Sequence, residues 1–454
     1  MSMQSINPAT GEVTGQFEPM DDAALSARLE AAGRAAGAWG GTPLEVRCAL
    51  LARVAALLRE RRDRLAALIT GEMGKLIGEA EAEIDKCALV CDHYAEHAAG
   101  YLADDVIASD ASRSLVACRP LGAVLAVMPW NFPFWQLFRC AAPALAAGNP
   151  VLLKHASNVP GCALAIHGLF RDAGAPDGVF STLLIDSGRV ESVIAHPAVR
   201  AVSLTGSDVA GRKVAAAAGS HLKKTVLELG GSDAFVVLDD ADLDLTAEMA
   251  IKGRFMNAGQ SCIAAKRFIV LESVEAAFME RLRAGIEALR PGDPMDRETT
   301  LAPLARDDLR DDLHAQVQAS IDAGAVLVMG GRALDRPGFY YGATLLDHVG
   351  PGMPAYSEEL FGPVAVVIRA ADESEALRIA NDTRFGLGGS VWTGNAARGE
   401  AFAAGMACGC AFVNGIVKSD PRLPFGGIGD SGYGRELSRL GIREFVNEQT
   451  VWVR

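Results

Sequence analysis

The chain has 454 residues, and at roughly 100–200 residues per domain this length indicates two or three domains. Half of the residues are hydrophobic, and 43 Lys plus Arg against 56 Asp plus Glu give a formal net charge of −13. An acidic chain without a clustered basic patch repels phosphate backbones and anionic lipid. We therefore expect neither nucleic acid nor a membrane as a partner.

The N-terminus and the cysteines predict a cytoplasmic location. Residues 1–8 lack a basic region followed by an apolar core, so they do not resemble a signal peptide. Nine scattered cysteines, an odd number, are not a disulfide framework. No His or Cys cluster with ligand spacing accompanies Cys87 and Cys91 or Cys408 and Cys410, so we expect no metal.

The first half of the chain changes from a helical pattern to alternating strands and helices. Residues 21–100 are rich in Ala, Leu, Arg and Glu, with apolar residues three and four apart, which predicts helices. Strands that are apolar on both faces, separated by helices, are typical of a parallel sheet with crossover helices. The predicted strands are 121–128, 150–154, 180–185 and 201–205, and the predicted helices are 134–147, 159–172 and one beginning at Asp208.

A second series of strands and helices begins near Asp233. Its predicted helix is 274–289, and its predicted strands are 234–238, 267–271, 326–329 and 364–368. The sequence therefore predicts two α/β lobes with a boundary near residue 230.

Cys262 is the first candidate catalytic residue. It follows a predicted helix end and a glycine-containing turn in Phe255–Cys262. A cysteine on such a turn can expose its sulfur beside backbone N–H groups, which favours a thiolate and stabilises an adjacent oxyanion. Taken alone, a single cysteine is more often a small buried hydrophobic residue.

Two polar residues in or beside apolar segments are further candidates. Glu228 lies in an apolar segment that ends in two glycines, and burial would raise the pKa of its carboxyl group, as suits a general base. Asn131 lies between a predicted strand and a helix, where α/β sheets bind ligands, and its amide can donate to an oxyanion. The alternatives are a salt-bridged structural glutamate and a turn-forming or helix-capping asparagine.

Two strand-to-helix turns are candidate cofactor contacts. Residues 154–157 follow one predicted strand, and Gly206 and Ser207 follow another. Backbone N–H groups and the helix dipole at such a turn attract phosphate. This signal alone is weak, because the usual dinucleotide fingerprint G-x-G-x-x-G is missing.

Together and in this order, the motifs resemble the aldehyde dehydrogenase superfamily over essentially the whole chain. The matching stretches are Ile6–Glu12, Pro129–Pro133, Leu153–Ser157, Leu204–Ser207, Leu227–Gly231, Gly259–Cys262, Glu358–Pro363, Val413–Asn414 and Pro424–Gly432. The resemblance implies an α/β fold with a variant Rossmann cofactor domain, an α/β catalytic domain and a small β arm used for oligomerisation.

The implied NAD(P)-binding domain is 1–108 and 122–230, the catalytic domain is 231–434, and the oligomerisation arm is 109–121 and 435–454. A homodimer or homotetramer is therefore expected.

The resemblance also implies roles for individual residues in the NAD(P)⁺-dependent oxidation of a small aldehyde to a carboxylic acid. Cys262 is the nucleophile that forms a thiohemiacetal and then a thioester. Glu228 activates the hydrolytic water, and Asn131 with the Cys262 backbone N–H forms the oxyanion hole. The implied cofactor contacts are Trp130, Asn131, Lys154, His155, Ala156, Ser157, Gly206, Ser207, Leu229, Glu359 and Phe361.

Residues 153–162 and 434–438 narrow the resemblance to the shorter bacterial succinate-semialdehyde dehydrogenases. Arg139, eight residues after Asn131 on a predicted helix, suits the distal carboxylate of succinic semialdehyde. Ser419 could donate a second hydrogen bond to it. The alternative for Arg139 is a surface or interface ion pair.

Ser157 bears on the choice between NAD and NADP. NAD-preferring relatives often carry a glutamate at this position, and a carboxylate there would repel a 2′-phosphate. The small, neutral Ser157, with Lys154 and His155 free to meet the extra charge, favours NADP⁺, with NAD⁺ also used.

Two activities of other classes stay open. A non-catalytic relative would be free to lose Cys262, Glu228 or Asn131, and all three are present. A CoA-acylating relative would pass the acyl group to a thiol, whereas Glu228 favours water as the acceptor.

Overall fold

A computed structural model describes residues 2–454. The helices are α1 (Asp22–Gly40), α2 (Leu44–Glu60), α3 (Arg62–Met73), α4 (Ile77–Tyr101), α5 (Trp135–Ala146), α6 (Pro160–Asp172), α7 (Val190–Ala195), α8 (Asp208–Ser220), α9 (Leu243–Phe255), α10 (Glu272–Glu287), α11 (Asp307–Asp322), α12 (Pro354–Ser357), α13 (Glu373–Asn381), α14 (Ala396–Gly405) and α15 (Ser438–Arg443). Short 3₁₀ turns occupy Ser187–Arg189, Met256–Gly259 and Gly429–Ser431.

The strands form two large sheets and two small ones. They are β1 (Met3–Ile6), β2 (Val13–Phe17), β3 (Asp105–Val106), β4 (Arg113–Pro120), β5 (Ala123–Met128), β6 (Val151–His155), β7 (Phe180–Thr182), β8 (Val199–Thr205), β9 (Lys224–Glu228), β10 (Asp233–Val237), β11 (Ala265–Leu271), β12 (Val326–Met329), β13 (Thr344–Asp347), β14 (Val364–Ala370), β15 (Gly388–Trp392), β16 (Cys410–Val413), β17 (Gly432–Tyr433) and β18 (Val446–Val453).

The first large sheet has the strand order β17-β9-β8-β5-β6-β7. Its strands are parallel except for β17, which runs antiparallel to β9. The parallel register brings the carboxyl ends of β5, β6, β8 and β9 to one edge of the sheet. Helices α2 to α6 pack with this sheet in one continuous apolar core. That edge is where the predicted cofactor residues follow their strands.

The second large sheet has the order β12-β13-β14-β11-β10-β15-β16 and is parallel except for the edge strand β12. It has its own apolar core, to which α9, α10 and α11 contribute. The prediction of an α/β fold dominated by parallel strands is confirmed. The residue limits of the cofactor, catalytic and oligomerisation regions stay a prediction.

The third sheet is antiparallel, with the order β18-β4-β3. All eight residues of β18 pair with β4, from Val446 opposite Pro120 to Val453 opposite Arg113. Trp452 on this sheet is 52% exposed, and Val106 and Val453 are exposed as well. Within residues 2–454, no helix is long and apolar enough to cross a membrane.

One predicted strand needs correction, and some strands, β15 among them, were not predicted. The strand predicted over 180–185 ends at Thr182, because the chain bends there and the Ile185 N–H bonds to the nearby Leu183 carbonyl. Leu183 still donates its N–H to the Leu153 carbonyl of β6, and Leu183 and Ile185 are buried in the core. Strand β15 was missed, since it opens on Gly388 and Gly389, which usually indicate a turn or a bulge.

Candidate active site

The Cys262 turn has an unusual backbone conformation. Asn257, Ala258 and Gly259 have φ angles of 53°, 51° and 74°, all in the left-handed region. A Cβ on Gly259 would overlap the backbone of Gly362, so only glycine fits there. Such a run of left-handed residues is costly unless the surroundings fix it, which is common at functional sites. The turn therefore reverses the chain between α9 and β11 and presents Cys262 at the bend.

Lys266 and Glu359 tie the Cys262 turn to the neighbouring sheet. The buried Lys266 Nζ donates to the carbonyl oxygens of Ser261 and Cys262, both at 2.8 Å, and lies 3.3 Å from Glu359 Oε1. Glu359 also accepts the backbone N–H of Gly231 at 3.1 Å. These bonds fix the carbonyl groups on either side of the sulfur, which leaves the Cys262 N–H free to face a substrate.

Burial raises the pKa of the Cys262 thiol to about 12, and the cations Arg139 and Lys266 oppose this shift. The turn can expose the sulfur, as the sequence indicated, and Cys262 is half-buried; its raised pKa is the opposite of the readily formed thiolate that such a position favours. At neutral pH the resting group is a thiol. Reaction as a nucleophile therefore requires removal of its proton, which the two nearby cations favour.

The Asn131 side chain lies against the Cys262 turn. Its Nδ2 donates to the carbonyl of Gln260 at 3.1 Å, and Asn257 Nδ2 donates to the Asn131 carbonyl at 3.0 Å. An amide nitrogen carries two N–H groups, so one remains available to an oxygen near the sulfur. Asn131 and Cys262, which carry the predicted oxyanion donors, thus lie on two hydrogen-bonded segments and line the same cavity.

Glu228 is the last residue of β9 and is 2% exposed. Both of its carboxyl oxygens lack a hydrogen-bond partner within residues 2–454. Burial and the nearby Glu436 raise the pKa of Glu228 well above its ordinary value, while Arg139 and Arg435 oppose the shift. The predicted rise in pKa is confirmed, but the carboxyl group does not line either cavity beside Cys262.

Two cavities meet at Cys262, which lines both of them. One, of about 250 Å³, lies at the carboxyl edge of the first sheet and is called the strand-edge cavity. The other, of about 420 Å³, lies between α4, α5 and the segment 416–419 and is called the helix-side cavity. A sulfur at their junction can contact one ligand in each.

The strand-edge cavity collects most of the predicted cofactor residues. Those lining it are Trp130, Asn131, Gly206, Ser207, Leu229, Glu359 and Phe361. The Trp130 and Phe361 rings meet edge to face with centroids 5.8 Å apart. Ser207 caps the N-terminus of α8, and a side chain on Gly230 would overlap Glu359. An aromatic wall, a capped helix start and a glycine floor fit a nicotinamide dinucleotide.

Residues 154–157 lie at the same sheet edge but do not line this cavity. Lys154 and His155 are buried at the end of β6, Ala156 is half-buried and Ser157 is exposed. Burial lowers the pKa of Lys154, and Asp186 opposes the shift.

The expectation that His155 is free to meet a phosphate is wrong. Its Nε2 lies 2.8 Å from the Pro133 carbonyl and its Nδ1 accepts the Ala156 N–H at 2.9 Å. Burial lowers the pKa of His155 to about 4, so the ring is neutral at physiological pH. It fixes the turn after β5 to the turn after β6 and carries no charge for a ligand.

Arg139 lines the helix-side cavity, but its charge is already partnered. Its Nε lies 2.7 Å from Glu436 Oε2, and the two side chains are 3% and 2% exposed. The two interpretations of Arg139 from the sequence were a free guanidinium and a surface or interface ion pair. Arg139 instead forms a buried ion pair in the cavity wall. Arg139 Nη2 is buried and has no hydrogen-bond partner among the described residues. Ser419 lines the same cavity, as predicted.

Helix α4 contributes three charged residues that sequence reasoning missed. Glu79 accepts the N–H of Asn257 at 3.0 Å, and Glu83 accepts the N–H groups of Phe134 and Trp135 at the start of α5. Lys86 lines the helix-side cavity. Spacings of four and three residues put these side chains on one face of the helix, which the sequence shows as a charged stripe within an apolar pattern.

Comparison with known proteins places the chain in a family. The profile of the aldehyde dehydrogenase family matches residues 1–451. A probable succinate-semialdehyde dehydrogenase (NADP⁺) from Synechocystis sp. is 51% identical over 453 residues, with all of both chains covered. A succinate semialdehyde dehydrogenase (NAD(P)⁺) from Escherichia coli is 47% identical, with 99% of this chain and 97% of that protein covered.

A solved structure of similar fold comes from Streptococcus pyogenes. It is a succinic semialdehyde dehydrogenase in complex with NADP⁺, 42% identical, with 99% of each chain covered and a TM-score of 0.98. The structure of Gox0499 matches with the same TM-score at 43% identity over the whole of both chains. From the profile match and these full-length relatives, the chain belongs to the aldehyde dehydrogenase family.

Proposed function

We propose that this enzyme oxidises succinic semialdehyde to succinate, with NADP⁺ preferred and NAD⁺ also used. The observation that carries the proposal is the charge of the helix-side cavity, in a protein whose formal net charge is −13. Its acidic lining residues are Glu79 and Glu83, and its cationic ones are Lys75, Lys86, Arg139, Lys252 and Lys418. Such a cavity attracts a carboxylate-bearing aldehyde over a neutral one.

The relatives support the same assignment, since those from Synechocystis, Escherichia coli and Streptococcus pyogenes are named for this substrate. The Synechocystis protein is named for NADP⁺ and the Escherichia coli protein for NAD(P)⁺, and the Streptococcus pyogenes protein was solved with NADP⁺ as its cofactor. Ser157 is consistent with this, because an exposed hydroxyl at the end of β6 does not repel a 2′-phosphate.

The chemistry we propose begins on the sulfur. The Cys262 thiol first loses its proton to water, and the sulfur then attacks the aldehyde carbon; the resulting oxyanion accepts hydrogen bonds from Asn131 and the Cys262 N–H. A bound NADP⁺ supplies the hydride acceptor from the strand-edge cavity. Once the carbon has lost its hydride, a thioester remains on Cys262.

Hydrolysis of the thioester is assigned to Glu228. In its buried position beside Glu436, Glu228 has a raised pKa, which favours the protonated carboxyl group. General-base action therefore requires the carboxyl group to lose that proton and turn toward the cavity at Cys262. It then takes a proton from the attacking water, and the acid and the free thiol are released.

A steady-state assay tests the proposal. We expect kcat/KM for succinic semialdehyde to exceed that for butanal, a neutral aldehyde of similar size, by at least about tenfold. We expect NADP⁺ to give a higher kcat/KM than NAD⁺, and added CoA to leave the rate unchanged. Equal kcat/KM for the two aldehydes would refute the substrate, and a CoA-dependent rate would refute water as the acyl acceptor.

We further infer a cytoplasmic homodimer or homotetramer with the domain limits given by the resemblance. The nine cysteines are all free, which suits a reducing compartment. The edge strand β18 carries the exposed Trp452 and Val453, and an apolar edge strand is a common pairing surface. Light scattering at several concentrations would test the assembly, and a monomer throughout would contradict it.

A further inference from the structure

Lys86 occupies a distinct position in the helix-side cavity. Its Nζ donates to Ser419 Oγ at 2.8 Å and lies 4.3 Å from the centre of the Trp135 ring. Trp135 Nε1 donates to the same Ser419 oxygen at 3.2 Å. Lys86, Trp135 and Ser419 line the cavity that Cys262 also lines.

The two donors determine what the Ser419 hydroxyl can do. A serine oxygen has two acceptor sites and one O–H donor. Lys86 and Trp135 occupy both acceptor sites, so the Ser419 proton can only be donated. A hydroxyl fixed as a donor, 2.8 Å from an ammonium group, matches one oxygen of a carboxylate.

Charge balance separates Lys86 from the other cations of the cavity. Lys75 pairs with Glu83 and Arg139 pairs with Glu436, so neither contributes a net charge. Lys252 and Lys418 are exposed, where water screens their charges. Lys86 is half-buried, and no carboxylate in residues 2–454 lies within 4.0 Å of its Nζ. Among the cations of the cavity, Lys86 is therefore the one that is neither paired with a carboxylate nor exposed to solvent.

We propose that Lys86 is a specificity-determining residue that binds the distal carboxylate of the aldehyde and fixes Ser419 as a second donor to it. This inference rests on the proposed function. Arg139 lines the same cavity, and its buried Nη2 has no hydrogen-bond partner among the described residues. Arg139 is a poor sole anchor because Glu436 already offsets its charge, whereas Lys86 gains its first anionic partner when the substrate binds.

The protonation of Lys86 gives this role a pH signature. Burial and Arg139 on α5 lower its pKa to about 8, while Cys87 and Glu83 on α4 and Asp420 beside the cavity oppose the shift. The ammonium form is present below this pKa and is lost as the pH rises through it. We therefore expect KM for the anionic aldehyde to rise above about pH 8, with no matching rise for butanal.

The test compares Lys86→Met with the parent enzyme on both aldehydes. We expect kcat/KM for succinic semialdehyde to fall by about 10- to 100-fold, as for the loss of a hydrogen bond to a charged group. That for butanal should stay within about twofold. The alkaline rise in KM should vanish, and Lys86→Arg should recover part of the lost activity. Lys213→Met, on an exposed lysine of α8 outside both cavities, is the matched control.

The outcomes separate this inference from the proposed function. If the parent enzyme does not prefer succinic semialdehyde, the proposed function fails. If the parent prefers it and Lys86→Met keeps the preference, only the role of Lys86 is overturned. Equal losses on both aldehydes would also overturn it, by showing a general structural effect. Lys86→Gln, which keeps a polar tip, provides the same comparison if the methionine variant does not fold.

Discussion

Replacing Arg139 with methionine should destabilise the protein by an amount that depends on pH. The change keeps most of the side-chain volume but leaves Glu436, 2% exposed, buried beside Glu228 without its cation. A carboxylate cannot stay charged there, so it takes up a proton. Holding that proton costs about 1.4 kcal/mol for each pH unit above the ordinary pKa of a glutamate. Burial already raises the pKa of Glu436 in the parent protein, so the expected loss at pH 7 is at most about 3–4 kcal/mol, as for broken buried ion pairs.

The sign of the pH dependence follows from the raised pKa of Glu436 in the folded variant. The folded state binds the proton more tightly than the unfolded state, so the loss is small in acid and grows as the pH rises. Urea unfolding followed by tryptophan fluorescence should show a deficit about 1.4 kcal/mol smaller at pH 6 than at pH 7. The double variant with Glu436→Gln should recover most of the lost free energy of unfolding. A deficit that is independent of pH, or not recovered, would refute the reasoning.

The remaining predictions concern the chemistry. Cys262→Ala should abolish dehydrogenase activity while cofactor binding, measured by calorimetry, stays nearly intact; steady turnover would rule out the thioester route. Glu228→Gln should give a burst of reduced cofactor without steady turnover, measured by stopped-flow absorbance; continued steady turnover after the burst would show that hydrolysis does not need this group. Ser157→Glu should shift the ratio of kcat/KM toward NAD⁺, unless discrimination lies elsewhere. Oxidants should inactivate by direct oxidation of Cys262, since Ser261 and Ile263 offer no disulfide partner; a mass spectrum dominated by a Cys262 disulfide would contradict this.

Local sequence patterns were sufficient for the parts of the site that follow strands. Met128, Thr205 and Glu228 end neighbouring strands of one sheet, and Pro129, Gly206 and Gly230 follow the three apolar runs in the sequence. Because parallel strands end at a common edge, Asn131 and Gly206 meet at one cavity although they are distant in the chain. The order of strands within the sheet did not have to be known for this prediction.

Pairings between distant segments could not be predicted in this way. Arg139 lies on a predicted helix and Glu436 follows a glycine-rich loop, and nothing in either local pattern indicates that they are 2.7 Å apart. The same holds for His155, whose ring is neutral because it meets the Pro133 carbonyl from a different turn. A charge read from the sequence is only a formal charge, and burial together with the nearest partner decides whether a ligand can use it.

The charged residues of helix α4 contact both the Cys262 turn and the proposed binding site for the substrate carboxylate. Glu79 holds the left-handed turn that presents Cys262, Glu83 holds the first turn of α5, and Lys86 faces the cavity between them. All three belong to one helix packed against α2, α3 and α5, so their separation is fixed by helical geometry. The distance from the proposed carboxylate anchor to the sulfur is therefore set by a rigid element, and a substrate of the right length places its aldehyde carbon at Cys262 when its carboxylate meets Lys86.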